Sequence, residues 1–166
     1  MNDTSSTAPT VTDRLRRLPL RLATGAFILN SGIGKLSLDD EAAAGLQGMA
    51  ANAFPAVRQV RPGLFGKALA VAEIGVGSAL LAPWVPTAVA GAALTAFSSG
   101  LLTMYVRTPG MHEDGSLRPT QQGIPVAKDS WMLGIGTSLL IDAALSGGMR
   151  TRRTCCRTAE PADSAE

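Results

Sequence analysis

Residues 74–106 carry no charged side chain, are bounded by Glu73 and Arg107, and are interrupted only at Pro83-Trp84-Val85-Pro86. As one straight helix this stretch would run about 50 Å at ~1.5 Å per residue, too long for a hydrocarbon core of about 30 Å. It must therefore fold back on itself. Pro86, with its fixed φ and missing N–H, suits the first turn of a new helix, and Pro83 ends the preceding one by holding Ala82 extended. The expectation is two membrane helices joined by a tight turn. The alternative, a buried pair in a soluble all-α protein, is disfavoured because residues 86–106 are apolar or small on every face.

The charges collect in the tails and in two loops, so the 166 residues, 46% of them hydrophobic, read as one membrane domain. The net charge of +2 does not suggest a nucleic-acid binder, because the arginines sit in short terminal clusters without interleaved aromatics. A lipid bilayer is the expected electrostatic partner. Phe54, Phe65, Trp84, Tyr105 and Trp131 fall at or near predicted helix ends, where amphipathic rings favour the headgroup region. Cys155 and Cys156 are neighbours in a polar tail with no second pair and no C-x-x-C spacing, which reads as reduced cytoplasmic thiols rather than a relay or metal site.

Taken in order, residues 1–12 are polar and are expected to be a disordered cytoplasmic tail. Residues 13–18 alternate arginine and leucine as an interfacial turn would, and a first span follows over 19–36. Arg14, Arg16, Arg17 and Arg21 resemble the start of a signal peptide, but no A-x-A-like site follows Leu29, so an uncleaved span is expected. Residues 37–61 open with Asp39-Asp40-Glu41 and continue with Leu46, Met49, Ala50, Ala53 and Phe54 at helical spacing before Pro55. That is a short amphipathic helix, on the membrane surface or over the bundle mouth; a plain connector is the alternative. A second span covers 62–82 with Glu73 in its middle, a third 86–106.

On the third span Thr87, Gly91, Thr95, Ser99 and Thr103 form one row of small residues. Rows of this kind let helix backbones approach closely, which is where packing energy in lipid arises. Residues 107–128 contain four turn centres and cannot span. Within them Met111-His112-Glu113-Asp114 is the one metal-like cluster, but three consecutive residues before a glycine read as a solvated turn. Asp129 is the expected N-cap of a fourth span over 129–146, where Ser130, Gly134, Ser138, Asp142 and Ser146 repeat as an inward small and polar face. Gly147-Gly148 is the expected end, and residues 149–166 a basic disordered tail. The helix-packing candidates are Gly91, Thr95, Ser99, Gly134 and Ser138.

Four spans put both termini on one side. Arg14 to Arg21 and the cluster Arg150, Arg152, Arg153 and Arg157 make that side cytoplasmic. Ionisable groups within spans are costly and should be matched by depth. Counting from the cytoplasmic end pairs Arg21 with Asp142 and sets Glu73 level with Asn30, Ser98 or Ser99, and Thr137 or Ser138. Lys35 reaches toward Glu73 from the outer end. The intramembrane polar network is thus Arg21, Asn30, Lys35, Glu73, Ser99, Ser138 and Asp142. It reads either as a proton relay or quinone rim, or as a hydrogen-bonded staple fixing helix order; the staple is favoured because no cofactor signature is present.

Arg21-Leu22-Ala23-Thr24-Gly25-Ala26-Phe27, Gly32-Ile33-Gly34-Lys35-Leu36, Glu73 with Gly75 and Gly77, and Ala127-Lys128-Asp129 together resemble the DoxX family of small four-helix membrane proteins. The likeness covers residues 19–146. It implies a membrane subunit associated with redox or quinone-linked complexes and supplies no catalytic residues. Residues 39–54 and 107–128 are long for that family. The expected function is a non-catalytic multi-pass subunit or anchor, with a soluble or membrane redox partner, or a second copy of the chain, beside it. A small transporter or lipid-binding protein is the alternative, weakened by the lack of an inverted repeat. An enzyme comes last: no nucleophile–base pair is evident, and Gly32-Ile33-Gly34-Lys35 lacks P-loop spacing.

Overall fold

A computed structural model describes residues 11–157, with the side chains of Asp13 and of 147–157 outside the description. The expected tails at 1–10 and 158–166, and the side chains of Cys155, Cys156 and the last four arginines, therefore lie outside it. Within it the chain is helical: α1 (Val11–Lys35), α2 (Asp40–Ala53), a 3-10 turn (Pro55–Gln59), α3 (Pro62–Leu81), α4 (Thr87–Arg107), the four-residue α5 (Ile124–Ala127) and α6 (Asp129–Arg157). No strand forms among the described residues; one isolated bridge, His112 to Pro119, ties the loop between α4 and α5.

Proline punctuation sets the middle of the chain as expected. Pro62 occupies the first turn of α3, Pro86 is the N-cap residue of α4, and Pro83 stands in the hairpin turn that joins the two helices. Both helices are long and apolar enough to cross a membrane, with mean hydropathies of 1.6 and 1.5. Only 28% and 33% of those apolar windows is buried within the protein, whereas a core helix of a soluble protein would be mostly buried. Neither α1 nor α6 reaches that apolarity among the described residues; the charges they carry, Arg16, Arg17, Arg21 and Lys35 on one, Asp129 and Asp142 on the other, are the reason.

Two helix ends differ from the sequence reading. Residues 13–18 are not a separate turn, because α1 begins at Val11 and passes through Pro19. A proline there removes a backbone hydrogen bond, and the Arg17 side chain, anchored on α6 and α4, holds the first turns in place. At the other terminus α6 continues through Gly147 and Gly148 to Arg157 instead of stopping. Glycine inside a helix costs only about 1 kcal/mol relative to alanine, less than a run of flanking helix formers returns.

Packing divides the bundle into two close pairs, α1 with α3 and α4 with α6. Glycines make the close approach. A Cβ built on Gly77 would lie 2.7 Å from the Leu29 nitrogen and 2.9 Å from the Gly25 oxygen; one on Gly32 would lie 2.9 Å from the Ala70 oxygen. In the other pair Gly91 meets the Gly136 oxygen and Leu139, and Gly136 meets Thr95. The pairs meet over one apolar layer formed by Ile28, Leu80, Ala90, Leu94, Met132 and Leu139. A second layer, Ala50, Ala53 and Met104 with Phe65 and Leu101, seats α2 across the start of α3 and the end of α4.

The helix α2 thus covers one mouth of the bundle. Asp39 caps it by accepting from the Ala42 N–H at 2.8 Å, and Asp40 and Glu41 sit in its first turn where the helix dipole favours them. Its buried side is Ala43, Gln47, Ala50, Ala51 and Ala53. Phe54, counted in the stripe from sequence, is exposed because the helix has already ended there.

Gly77→Ala forces a methyl against backbone atoms of α1 that cannot step aside, and a loss of about 1–3 kcal/mol is expected. Gly75→Ala meets nothing within 4 Å and should be neutral or stabilising. Thermal unfolding of the two variants in the same detergent separates them; equal melting points would rule out the glycine seam as the α1–α3 contact.

Candidate functional site

The interior polar groups form two clusters, one at each end of the bundle. At the end holding the turn between α3 and α4, Arg17 and Arg16 both form ion pairs with Asp142 of α6. Arg17 also donates to Ser146 Oγ at 2.7 Å and Thr87 Oγ1 at 3.3 Å, so one guanidinium binds three helices together. It is 8% exposed.

Arg21, expected to pair with Asp142, does something else. Its guanidinium donates to the carbonyls of Ala79 at 2.9 Å, Leu80 at 2.7 Å, Ala82 at 2.8 Å and Val85 at 3.2 Å. The last turn of any helix leaves carbonyls without intrahelical donors and carries a partial negative charge, and a fork of N–H groups answers both. Four residues of helix bring Arg17 rather than Arg21 level with Asp142. The two arginines share a face and lie one turn apart, about 6 Å along the axis, and a depth counted from approximate helix ends is not fine enough to choose between them.

At the opposite end Lys35 donates to Glu73 Oε2 at 2.9 Å and to Ser31 Oγ at 2.8 Å. This pair is the one the sequence anticipates, and Glu73 is 5% exposed. Other expected members of the network do not join it. Asn30, Ser99 and Ser138 lie on exposed faces of their helices. Ser99 donates to the Thr95 carbonyl at 2.7 Å and Ser138 to the Gly134 carbonyl at 2.8 Å, one turn back in each case. A hydroxyl that folds back this way is satisfied without water or a partner helix.

The close-packing residues are likewise only partly those expected. Gly91 and Thr95 pack on α6, but the α6 residue they meet is Gly136. Gly134 is exposed, and a Cβ there would meet nothing within 4 Å. Of the expected α6 row, Asp142 and Ser146 do face the bundle and bind Arg17, whereas Gly134 and Ser138 face outward and Gly136 makes the contact with α4.

Among the described residues two buried oxygens have no hydrogen-bond partner: Ser98 Oγ on α4, which the sequence offered as the alternative to Ser99, and Asp129 Oδ1 on α6. Asp129 was the expected N-cap of its helix. Instead Lys128 before it is already αR, so α5 runs almost directly into α6 and Asp129 is the first helical residue, 4% exposed.

In the loop, His112 stands against Tyr105, ring edge to ring at 5.9 Å. Its Nδ1 faces the Glu113 carbonyl at 3.2 Å and its Nε2 the Val106 carbonyl at 3.1 Å. Both nitrogens meeting acceptors favours the doubly protonated ring, and the pKa is raised by those two carbonyls, the Glu113 one first. Among the described residues no group of three His, Cys, Asp or Glu side chains is placed to hold a metal ion.

Compared with known proteins, the chain matches no family model, no curated sequence and no solved structure.

Asp142→Asn should cost about 2 kcal/mol, the worth of charged hydrogen bonds to buried Arg17, read as a lower melting point in detergent. The outcome contrary to this is a melting point equal to wild type. For His112, whose folded pKa lies above its ordinary value, stabilisation is complete below the unfolded pKa and is lost as pH rises through the folded one. An NMR titration of the ring protons should place its midpoint above that of a free histidine, and Glu113 and Val106 backbone resonances should move with it; a midpoint at or below that of free histidine contradicts this.

Proposed function

We propose that the protein is a multi-pass protein of a bacterial-type cytoplasmic membrane, with α1, α3, α4 and α6 as four spans and both termini cytoplasmic. Its role in this reading is that of a non-catalytic, DoxX-like membrane subunit or anchor of a redox or quinone-linked complex. The observation that carries the membrane part is the outward apolar surface of all four long helices. Phe27, Ile33, Leu64, Val71, Val89 and Ile141 are each more than half exposed. In water so continuous an apolar girdle would drive association; in lipid it is the surface a span requires.

The polar interior supports an anchor over a catalyst. Arg17, Arg21 and Lys35 donate to Asp142, to helix-end carbonyls and to Glu73 respectively, which fixes helix order. Charged residues in α1 and α6 are compatible with spanning because their charges are neutralised inside the bundle rather than presented to lipid. The redox association rests on the resemblance in residues 21–27, 32–36, 73–77 and 127–129.

A quinone would need hydrogen-bond donors facing a lipid-accessible groove. One groove, about 590 Å³ between α4, α6 and the loop, is lined by Tyr105, Lys128, Ser130 and Trp131 among apolar residues. Its Tyr105 hydroxyl donates to the Leu117 carbonyl at 2.8 Å, and the Lys128 ammonium lies 4.9 Å from the Phe27 ring centroid. Tyr105 is thus engaged, while Ser130 and the Trp131 indole also line the groove, and no step is assigned to a quinone there.

Purification in mild detergent from its own membranes, with identification of what accompanies it, tests the subunit reading. A redox partner should co-purify with wild type; a chain that comes out alone removes the redox association. Reporter fusions test topology independently: both termini should score as cytoplasmic and residue 116 as external, and a cytoplasmic score at 116 would contradict four spans.

A further inference from the structure

The groove between α4 and α6 continues inward, because a second hollow of about 370 Å³ shares Leu102 and Val106 with it. The inner stretch has Ser99, Thr103 and Leu133 on its walls. The Ser99 and Thr103 hydroxyls are spent on carbonyls of their own helix, so this stretch presents an apolar surface. The outer stretch is walled by Leu117, Ile124 and Trp131, all of them exposed. Apolar walls left open over such a length mark contact with something apolar.

The charged members of the lining are both cations, Arg107 in the inner stretch and Lys128 in the outer. A Cβ on Gly136 would meet Thr95, and one on Gly91 would meet Leu139, so α4 and α6 run antiparallel. Seven residues beyond the first contact come Leu102 on one helix and Asp129 on the other. Lys128 is therefore level with Thr103, and Arg107 lies about one turn, ~6 Å, further out. Both stand toward the same end, with Ser99 and Leu133 deeper.

The bundle answers its other cations from within: Arg17 has Asp142, Arg21 has helix-end carbonyls, and Lys35 has Glu73. Among the described residues Arg107 and Lys128 form no ion pair, and no acid lines the groove. Arg107 has one long hydrogen bond, 3.5 Å to the Ala53 carbonyl, and the Lys128 ammonium rests over the Phe27 ring. Neither contact cancels a charge. Asp129, next to Lys128 in sequence, is buried on the inward side.

We infer that this groove binds an anionic phospholipid of the outer leaflet, with an acyl chain along Leu102, Val106 and Leu133 and the phosphate at Arg107 and Lys128. A phosphate diester supplies the missing negative charge, and the Ser130 hydroxyl and Trp131 indole add donors beside it. An acidic protein segment would answer the cations but would leave the apolar walls of the inner stretch uncovered. The site rests on the four-span reading and does not depend on a redox role.

Trp131 is a built-in probe, since Trp84→Phe leaves it the only tryptophan. The full chain with that change is reconstituted in vesicles of phosphatidylcholine and phosphatidylglycerol, with brominated acyl chains on one lipid or the other, and quenching of Trp131 fluorescence is read. Brominated phosphatidylglycerol should compete for the groove at least about fivefold better, the usual worth of one basic residue beside anionic lipid. Arg107→Gln with Lys128→Gln should bring the two lipids to equality while phosphatidylcholine still quenches. Either change alone should lower the preference part of the way, which keeps the test open if the double variant does not fold. Arg118→Gln, which removes an exposed loop cation outside the groove, should leave the preference intact.

Equal quenching by the two lipids before the groove is altered, or a preference that the double variant retains or Arg118→Gln abolishes, overturns the lipid site and leaves the spans standing. Quenching by neither lipid would remove the four-span reading along with it. Replacing chloride by inorganic phosphate at equal ionic strength should change nothing; loss of the preference there would make the ligand a free anion and overturn the lipid assignment.

Discussion

Neutralisation of the guanidinium groups of α1 is the condition on which the bundle rests. A helix carrying Arg16, Arg17 and Arg21 within two turns could not enter an apolar assembly with those charges open. Asp142 takes two of them, and the free carbonyls at the end of α3 take the third. Because the acceptors belong to α3, α6 and the hairpin turn, satisfying the charges also sets which helices neighbour α1. Charge and topology are one constraint here. The glycine seam then adds close contact to an arrangement already chosen, since Gly25, Gly32 and Gly77 let α1 and α3 touch backbone to backbone.

Much of this architecture is legible in the chain. The uncharged stretch, the prolines at 62, 83 and 86, and the acids at 39–41 place α2, α3 and α4 within a residue or two, because each is a local signal with a local cause. The Lys35–Glu73 pair is legible as well, since Lys35 closes α1 at a depth from which its long side chain reaches Glu73. What was not legible is depth to within one turn. Arg17 and Arg21 differ by about one turn, and both point toward the bundle, yet one finds a carboxylate and the other finds carbonyls. Which does which depends on where α3 ends in space, a tertiary fact.

The hydroxyl rows mislead for a related reason. Ser99, Ser138 and Thr103 look polar in sequence, and polarity suggests an inward face. Each donates to a carbonyl one turn earlier in its own helix. Once that bond is made the side chain is nearly apolar from outside and is free to face lipid. Asp129 illustrates the reverse error. An acid at a helix start reads as a cap, but α5 leaves no extended residue before α6 to act as one, and the side chain turns inward instead.

The order of the helices along the chain has a consequence for how the protein comes into being. Asp142, which neutralises Arg16 and Arg17, lies midway along the last long helix, more than a hundred residues after them. While the chain is being synthesised, α1, α3 and α4 are all complete before that acid exists. The carbonyls that Arg21 binds are all present once α3 and the hairpin turn are made. The other two arginines have no such acceptor until the final helix is made.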